Sequence, residues 1–201
     1  HDGAEVPECK AEVTLKAESV QRTGSFKLRG AGHKLSLLSR AQLGAGVVAA
    51  SAGNHAQAVA VAARRHGAEA DLFIPVGAPL AKAGAVRTYG GNVRLIEGSY
   101  DEASEAARRF ADDEGKTLIH PFDDPVVLAG AGTVALELLE DVPEIETIVV
   151  PAGGGGLVAG IAAAAPDRRV IAVEPERSTA VGSGLAAGRS VPVTPASIAD
   201  G

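Results

Sequence analysis

An α/β fold with largely parallel sheets is predicted by two features of the 201-residue sequence. Short β-rich runs alternate with longer alanine-rich amphipathic runs along the chain. Three strand-to-helix junctions carry unusual residues, and chemistry in such sheets gathers at the carboxyl ends of strands. Apolar residues at 46% and charged residues at 22% are ordinary globular proportions, and the length suffices for a real core.

The strand candidates are Glu12–Lys16, Gly46–Ala50, Ala70–Ile74, Val93–Glu97, Thr117–His120, Thr147–Val150 and Val170–Glu174. Between them lie the helix candidates Phe26–Leu38, His55–His66, Leu80–Tyr89, Tyr100–Glu114, Pro125–Leu139 and Leu157–Ala165. Ser99 with Glu102 predicts a capping box for the fourth helix. No repeat or low-complexity linker interrupts the pattern, and composition marks no domain boundary.

A net charge of −6 argues against a nucleic-acid or anionic-membrane partner. Cys9 is the sole cysteine, so it forms no internal disulfide and no cysteine-based zinc site; it reads as a small core or surface thiol. The opening residues are polar, unlike a signal-peptide core. The weakly polar run Ile148–Pro166 holds four consecutive glycines and is bounded by Pro151 and Pro166, which argues against a membrane helix. A soluble, cytoplasmic protein is expected. There is no Met, the chain starts at His1 and it stops at Asp200-Gly201 in what reads as a loop. Truncation at both ends is therefore expected.

The first junction is Pro151-Ala152-Gly153-Gly154-Gly155-Gly156-Leu157. Glycines let backbone N–H groups converge, and a following helix N-terminus adds positive potential, so a phosphate fits. Gly154-x-Gly156-x-x-Ala159 also matches a dinucleotide fingerprint, with Glu174 twenty residues on as a candidate ribose-binding acid. A dinucleotide, another phosphate and a purely structural turn all remain open on this loop alone.

The second junction is Ser51-Ala52-Gly53-Asn54-His55. Its bland reading is a helix cap made by Ser51 or Asn54; its functional reading is a carboxylate held by the same free N–H groups. The third feature is Thr23-Gly24-Ser25-Phe26-Lys27-Leu28-Arg29-Gly30-Ala31. Most lysines are solvated surface residues. Lys27 follows Ser-Phe at a predicted helix start, where the helix N-terminus and an apolar neighbour would depress its pKa. A Schiff-base lysine needs that depression.

The lysine segment resembles the cofactor-lysine motif of fold-type II pyridoxal-phosphate (PLP) enzymes, of the tryptophan synthase β-like fold. It is most similar to the threonine dehydratase (threonine ammonia-lyase) and serine racemase branch. Leu15–Gln21, His120-Pro121-Phe122-Asp123-Asp124-Pro125 and Ala129-Gly130-Ala131-Gly132-Thr133 resemble the same branch in the same order.

The resemblance implies two doubly wound α/β domains with PLP in the cleft: a larger one over residues 1–45 and 125–201, incomplete here, and a smaller inserted one over 46–124. Lys27 would carry PLP covalently, with Phe26 beside it. Gly153, Gly154, Gly155, Gly156 and Leu157 would cradle the phosphate, and Asn54 would bond the phenolic oxygen. Ser51, Ala52, Gly53, Asn54 and His55 would hold the substrate, with His55 as a packed orienter rather than a titrating group.

The implied reaction is β-elimination from L-threonine or L-serine, giving 2-oxobutanoate or pyruvate and ammonia, as in amino-acid metabolism and isoleucine biosynthesis. Lys27 would remove the Cα proton. The implied partner is a small amino acid, and a homo-oligomer is expected. A serine racemase, a non-catalytic PLP- or phosphate-binding remnant and a dinucleotide-binding oxidoreductase are the alternatives. The racemase pattern carries a second serine at the position of Ala52, and alanine neither gives nor takes a proton, which leans toward elimination. The chain departs from the pattern at Ala131, where Gln is common, and at Gly32, where Tyr is common. The usual pyridine-nitrogen partner would lie beyond Gly201. Glu174-Pro175 resembles part of the family's divalent-metal site, but the further acid aligns with Ala180, so no strong metal site is expected.

Overall fold

Strands β1 (Val47–Ala50), β2 (Ala70–Pro75), β3 (Asn92–Ile96) and β4 (Thr117–Leu118) form a wholly parallel sheet in the order β3-β2-β1-β4. This is a computed structural model, and it describes residues 11–51, 53–78 and 80–193. His1, Cys9, Ala52 and the Asp200-Gly201 end lie outside those residues. β1 and β2 are buried along their whole length, as strands covered on both faces must be. Successive side chains point to opposite faces. Val47 and Ala49 therefore meet helix α3 (Asn54–His66), while Val48 and Ala50 meet α5 (Tyr100–Glu114). The alanines of α3 and α5 let both helices lie close to the sheet. Asp71 is buried on β2, held by Lys116 at 2.6 Å and Arg94 at 2.9 Å.

Strands β5 (Thr147–Pro151) and β6 (Arg169–Val173) pair in a second, parallel sheet. Ile148 and Val150 turn inward against α6 (Pro125–Asp141) and α7 (Gly156–Ala164), giving a separate core with Val134, Leu138 and Ile161. Helix α1 (Lys27–Ser36) packs on both α3 and α6, bridging the two cores. The chain also forms α2 (Arg40–Ala45), α4 (Leu80–Thr88), α8 (Ala180–Ala187) and a 3₁₀ turn at Glu18–Val20. Among the described residues, no helix is long and apolar enough to cross a membrane.

Six of the seven strands and all six helices expected from sequence are present, with ends moved by up to two residues. The capping box of Ser99 and Glu102 forms. Glu12–Lys16 is not a strand. Val13 and Leu15 stay 80% and 84% exposed, no described strand lies beside the segment, and Lys16 pairs with Glu137 and Asp141 instead. A β-rich run without a ladder partner has nothing to hold it extended. Helix α2 was not anticipated, although Ser39 and Gln42 make a reciprocal capping box. Helix α8 was also missed: Gly182 and Gly184 weaken its propensity, and it is held from outside by Glu174.

Candidate active site

The strand order puts a topological switch between β1 and β4. From β1 the chain builds outward through β2 and β3, then returns to add β4 on the other side of β1. Loops leaving the carboxyl ends of two such strands diverge and open a crevice, where ligands bind in open α/β sheets. The two loops here are Ser51–Asn54 after β1 and Ile119–Phe122 after β4.

Lys27 opens α1 and reaches into this region. A tight turn precedes it, with Thr23 at φ 122° and Gly24 at φ 70°. Thr23 is buried, β-branched and in a region that favours glycine, and its hydroxyl has no partner among the described residues. Such backbone strain costs roughly 1–3 kcal/mol and persists only where the surroundings enforce it. The Lys27 ammonium donates to the Pro121 carbonyl at 2.8 Å and lies 5.1 Å from the centre of the Phe26 ring. Burial lowers its pKa from 10.5 to about 8. The depression expected from sequence is therefore present, and desolvation is its cause.

His55 is buried and its Nε2 lies 2.9 Å from the Ile119 carbonyl, so Nε2–H donates. Its Nδ1 has no partner among the described residues. Burial, then the Lys27 charge, lowers the His55 pKa from 6.5 to about 3. The ring is a neutral packed group, as the orienter reading requires. Above about pH 6.5 folded and unfolded chains are both neutral at this position, and the full stability is present. Below it the unfolded chain takes a proton that the folded one refuses. Stability is then lost as pH falls from 6.5 toward 3, by ~1.4 kcal/mol per pH unit from this group. Urea unfolding at pH 7, 6, 5 and 4 should therefore show a shallower acid slope for His55→Gln than for the parent. Equal slopes would refute the buried neutral histidine.

The bland cap reading of this loop does not hold. Gly53 is the N-cap of α3, and among the described residues no side chain caps the helix. Ser51 is buried and accepts from the Gly53 N–H at 3.0 Å, and Asn54 is the first helical residue. Among the described residues, the first N–H groups of α3 thus have no side-chain partner, the arrangement a carboxylate could use. Ala52 lies outside the described residues.

The glycine loop joins β5 to α7. Gly155 takes φ 83°, open to glycine at little cost. Gly153 and Gly154 are exposed, and among the described residues no hydrogen bond uses the N–H groups of Gly153, Gly154 or Gly155. Three free donors at the positive end of a nine-residue helix fit a phosphate, and a half-buried amine of lowered pKa fits the aldehyde of PLP. Glu174 is not free for a ribose. Its carboxylate accepts from Val181 N–H at 2.7 Å and Gly182 N–H at 2.8 Å, at the start of α8. The acid that the dinucleotide reading needs is thus occupied.

The residue pattern gave no role to the segment on which these parts meet. Ile119 holds His55, Pro121 holds Lys27, and Phe122 packs on Gly154 and Gly156. His120 Nδ1 accepts from the N–H groups of Phe122 and Asp123, and Asp124 caps α6 while pairing with Lys34 at 2.7 Å. Two prolines around an N-cap aspartate were the signal that this turn is constrained. Arg29 was also unassigned. All five of its N–H groups are used, by Glu18, Glu137 and Thr133 at 2.6–3.0 Å. It locks the 3₁₀ turn, α1 and α6 together, two residues from Lys27.

Residues 4–201 match the sequence profile of the pyridoxal-phosphate dependent enzymes. The L-threonine ammonia-lyase of Thermotoga maritima is 46% identical over 183 residues, 89% of this chain and 46% of its own length. The processed form of threonine deaminase isoform 2 from Solanum lycopersicum superposes with a TM-score of 0.83 at 41% identity, covering 87% of this chain and 52% of that one. Maize serine racemase gives 0.84 at 41% identity, covering 89% and 55%. The chain thus spans about half the length of the relatives it matches. Profile, superposition and lysine segment agree on the family, and the chain belongs to the pyridoxal-phosphate dependent enzymes of fold-type II.

Proposed function

We propose that the protein carrying this chain is an ammonia-lyase (dehydratase) acting on L-threonine or L-serine. The observation that carries this reading is the half-buried Lys27 amine, held by the Pro121 carbonyl at the sheet's switch point, with its pKa lowered by desolvation. The names of the relatives agree with it. Bound PLP supplies an electron sink for negative charge at the substrate Cα.

The chain's residues do the rest. Lys27 carries the cofactor, and its neutral amine, once free, accepts the Cα proton. The free N–H groups of Gly153–Gly155, with Gly156 and Leu157, hold the phosphate, and Phe26 packs beside the lysine. Asn54 bonds the cofactor's phenolic oxygen. Ser51, Ala52, Gly53, Asn54 and His55 form the substrate-carboxylate loop, with neutral His55 holding its shape without exchanging protons. The β-hydroxyl leaves as water with the proton taken from Cα, and the unsaturated amine takes up a water and hydrolyses to the 2-oxoacid and ammonia. Residues 1–45 with 125–201 form the larger domain and 46–124 the smaller. A homo-oligomer in the cytoplasm completes the proposal.

Racemisation of serine is the second reading, because maize serine racemase superposes as well as threonine deaminase does. Ala52 argues against it, since alanine supplies no proton on the second face. The whole protein, incubated with L-threonine and with L-serine, should release 2-oxobutanoate and pyruvate and form little D-serine. Dominant D-serine formation would overturn the lyase assignment.

A further inference from the structure

We infer that Phe122 is a positioning residue for the glycine loop, and that Gly154 is glycine to admit the Phe122 ring rather than to admit a phosphate. The inference rests on the proposal that this loop holds the cofactor phosphate.

The four glycines do different work. A Cβ on Gly153 would meet nothing within 4 Å. Gly155 is fixed by its φ of 83°. Gly154 has ordinary φ, but a Cβ there would stand 2.6 Å from Phe122 Cδ1, 2.8 Å from Cγ and 2.9 Å from Cε1. A Cβ on Gly156 would stand 2.9 Å from Phe122 Cβ and 3.1 Å from its Cα. Side-chain carbons in packed interiors do not approach so closely. The ring cannot step aside cheaply. The main chain that carries it is pinned, because the backbone N–H groups of Phe122 and Asp123 donate to His120 Nδ1 at 3.3 and 2.7 Å, and the His120 ring stands edge-on to the Phe122 ring at 4.8 Å and 86°. Its chain neighbour is Pro121, whose carbonyl takes Lys27. One braced aromatic ring thus fixes the loop relative to the lysine, and the glycine at 154 makes room for it.

Binding of pyridoxine 5′-phosphate tests this. It carries the phosphate but no aldehyde, so it reads the cradle without reaction at Lys27. Titrations followed by fluorescence would compare the parent whole protein, Gly154→Ala, Phe122→Ala and the double variant. Gly154→Ala should weaken binding about tenfold or more, because a rigid ring opposes the new methyl. The double variant should recover to the level of Phe122→Ala alone, and Phe122→Tyr should bind like the parent. Should Gly154→Ala not fold, recovery of folded, binding protein in the double variant supports the same conclusion. Parent-like binding by Gly154→Ala, or no recovery in the double variant while the parent binds, would overturn this inference alone. No binding by the parent would overturn the phosphate-cradle reading and this inference with it.

Discussion

Lys27→Ala should abolish deamination of threonine and serine, with kcat falling by roughly four orders of magnitude or more, as when a group that is both covalent anchor and general base is removed. Alanine leaves no amine to receive the cofactor aldehyde and none to take the Cα proton. The glycine loop and the free N–H groups at the start of α7 are untouched, so the phosphate end should still bind. The variant should therefore retain pyridoxine 5′-phosphate binding while losing the visible band of lysine-linked PLP. Attachment of PLP to the parent also carries a pH signature. Only the neutral amine attacks an aldehyde, and burial puts the Lys27 midpoint at about 8. The rate of band formation should rise with pH and level off above that value. A midpoint near 10.5, or near-normal deamination by Lys27→Ala, would remove Lys27 from the role proposed for it.

Much of this arrangement was legible in the residues, for physical reasons. Buried parallel strands such as Val47–Ala50 and Ala70–Pro75 announce themselves as short apolar runs between helical patterns. Lys27, His55 and the glycine loop stood out because each sits at a strand-to-helix or turn-to-helix junction with few chemical reasons to look as it does. What the sequence hid is where carbonyls point. Pro121 and Ile119 contribute main-chain oxygens, which carry no residue signature, yet they hold Lys27 and His55. The glycines of the loop could be read as a phosphate cradle but not sorted, because the ring that explains two of them comes from a segment thirty residues earlier. Glu12–Lys16 failed for the opposite reason. Its composition suits a strand, but pairing is a property of the neighbour as well as of the segment.

Gly160→Ala should cost about 3 kcal/mol or more, the upper end of overpacking effects, because the obstacle is backbone and cannot repack. Helix α6 lies between α1 and α7 on pairs of glycines. On one side a Cβ at Gly130 would stand 2.6 Å from the Arg29 carbonyl and 2.8 Å from Gly30 Cα. On the other, a Cβ at Gly132 would stand 2.6 Å from the Gly160 carbonyl, and one at Gly160 would strike the Leu128 carbonyl and come within 2.8 Å of Gly132 N. The segment Ala129–Thr133 therefore acts through helix packing, with Thr133 further tied to Arg29 at 3.0 Å. Helix α1 begins with Lys27, and α7 begins at the end of the glycine loop. The thickness of α6 at these glycines thus sets the distance between Lys27 and the glycine loop. Gly160→Ala should lower the melting temperature by roughly 6–12 °C for a chain of this size, and it should weaken pyridoxine 5′-phosphate binding in whatever protein stays folded. Gly32→Ala is the internal control. It sits inside α1 with nothing within 4 Å of its Cβ direction, and by helix propensity alone it should stabilise by about 0.5–1 kcal/mol. Equal melting temperatures for the two variants would show that the helices do not approach as closely as described.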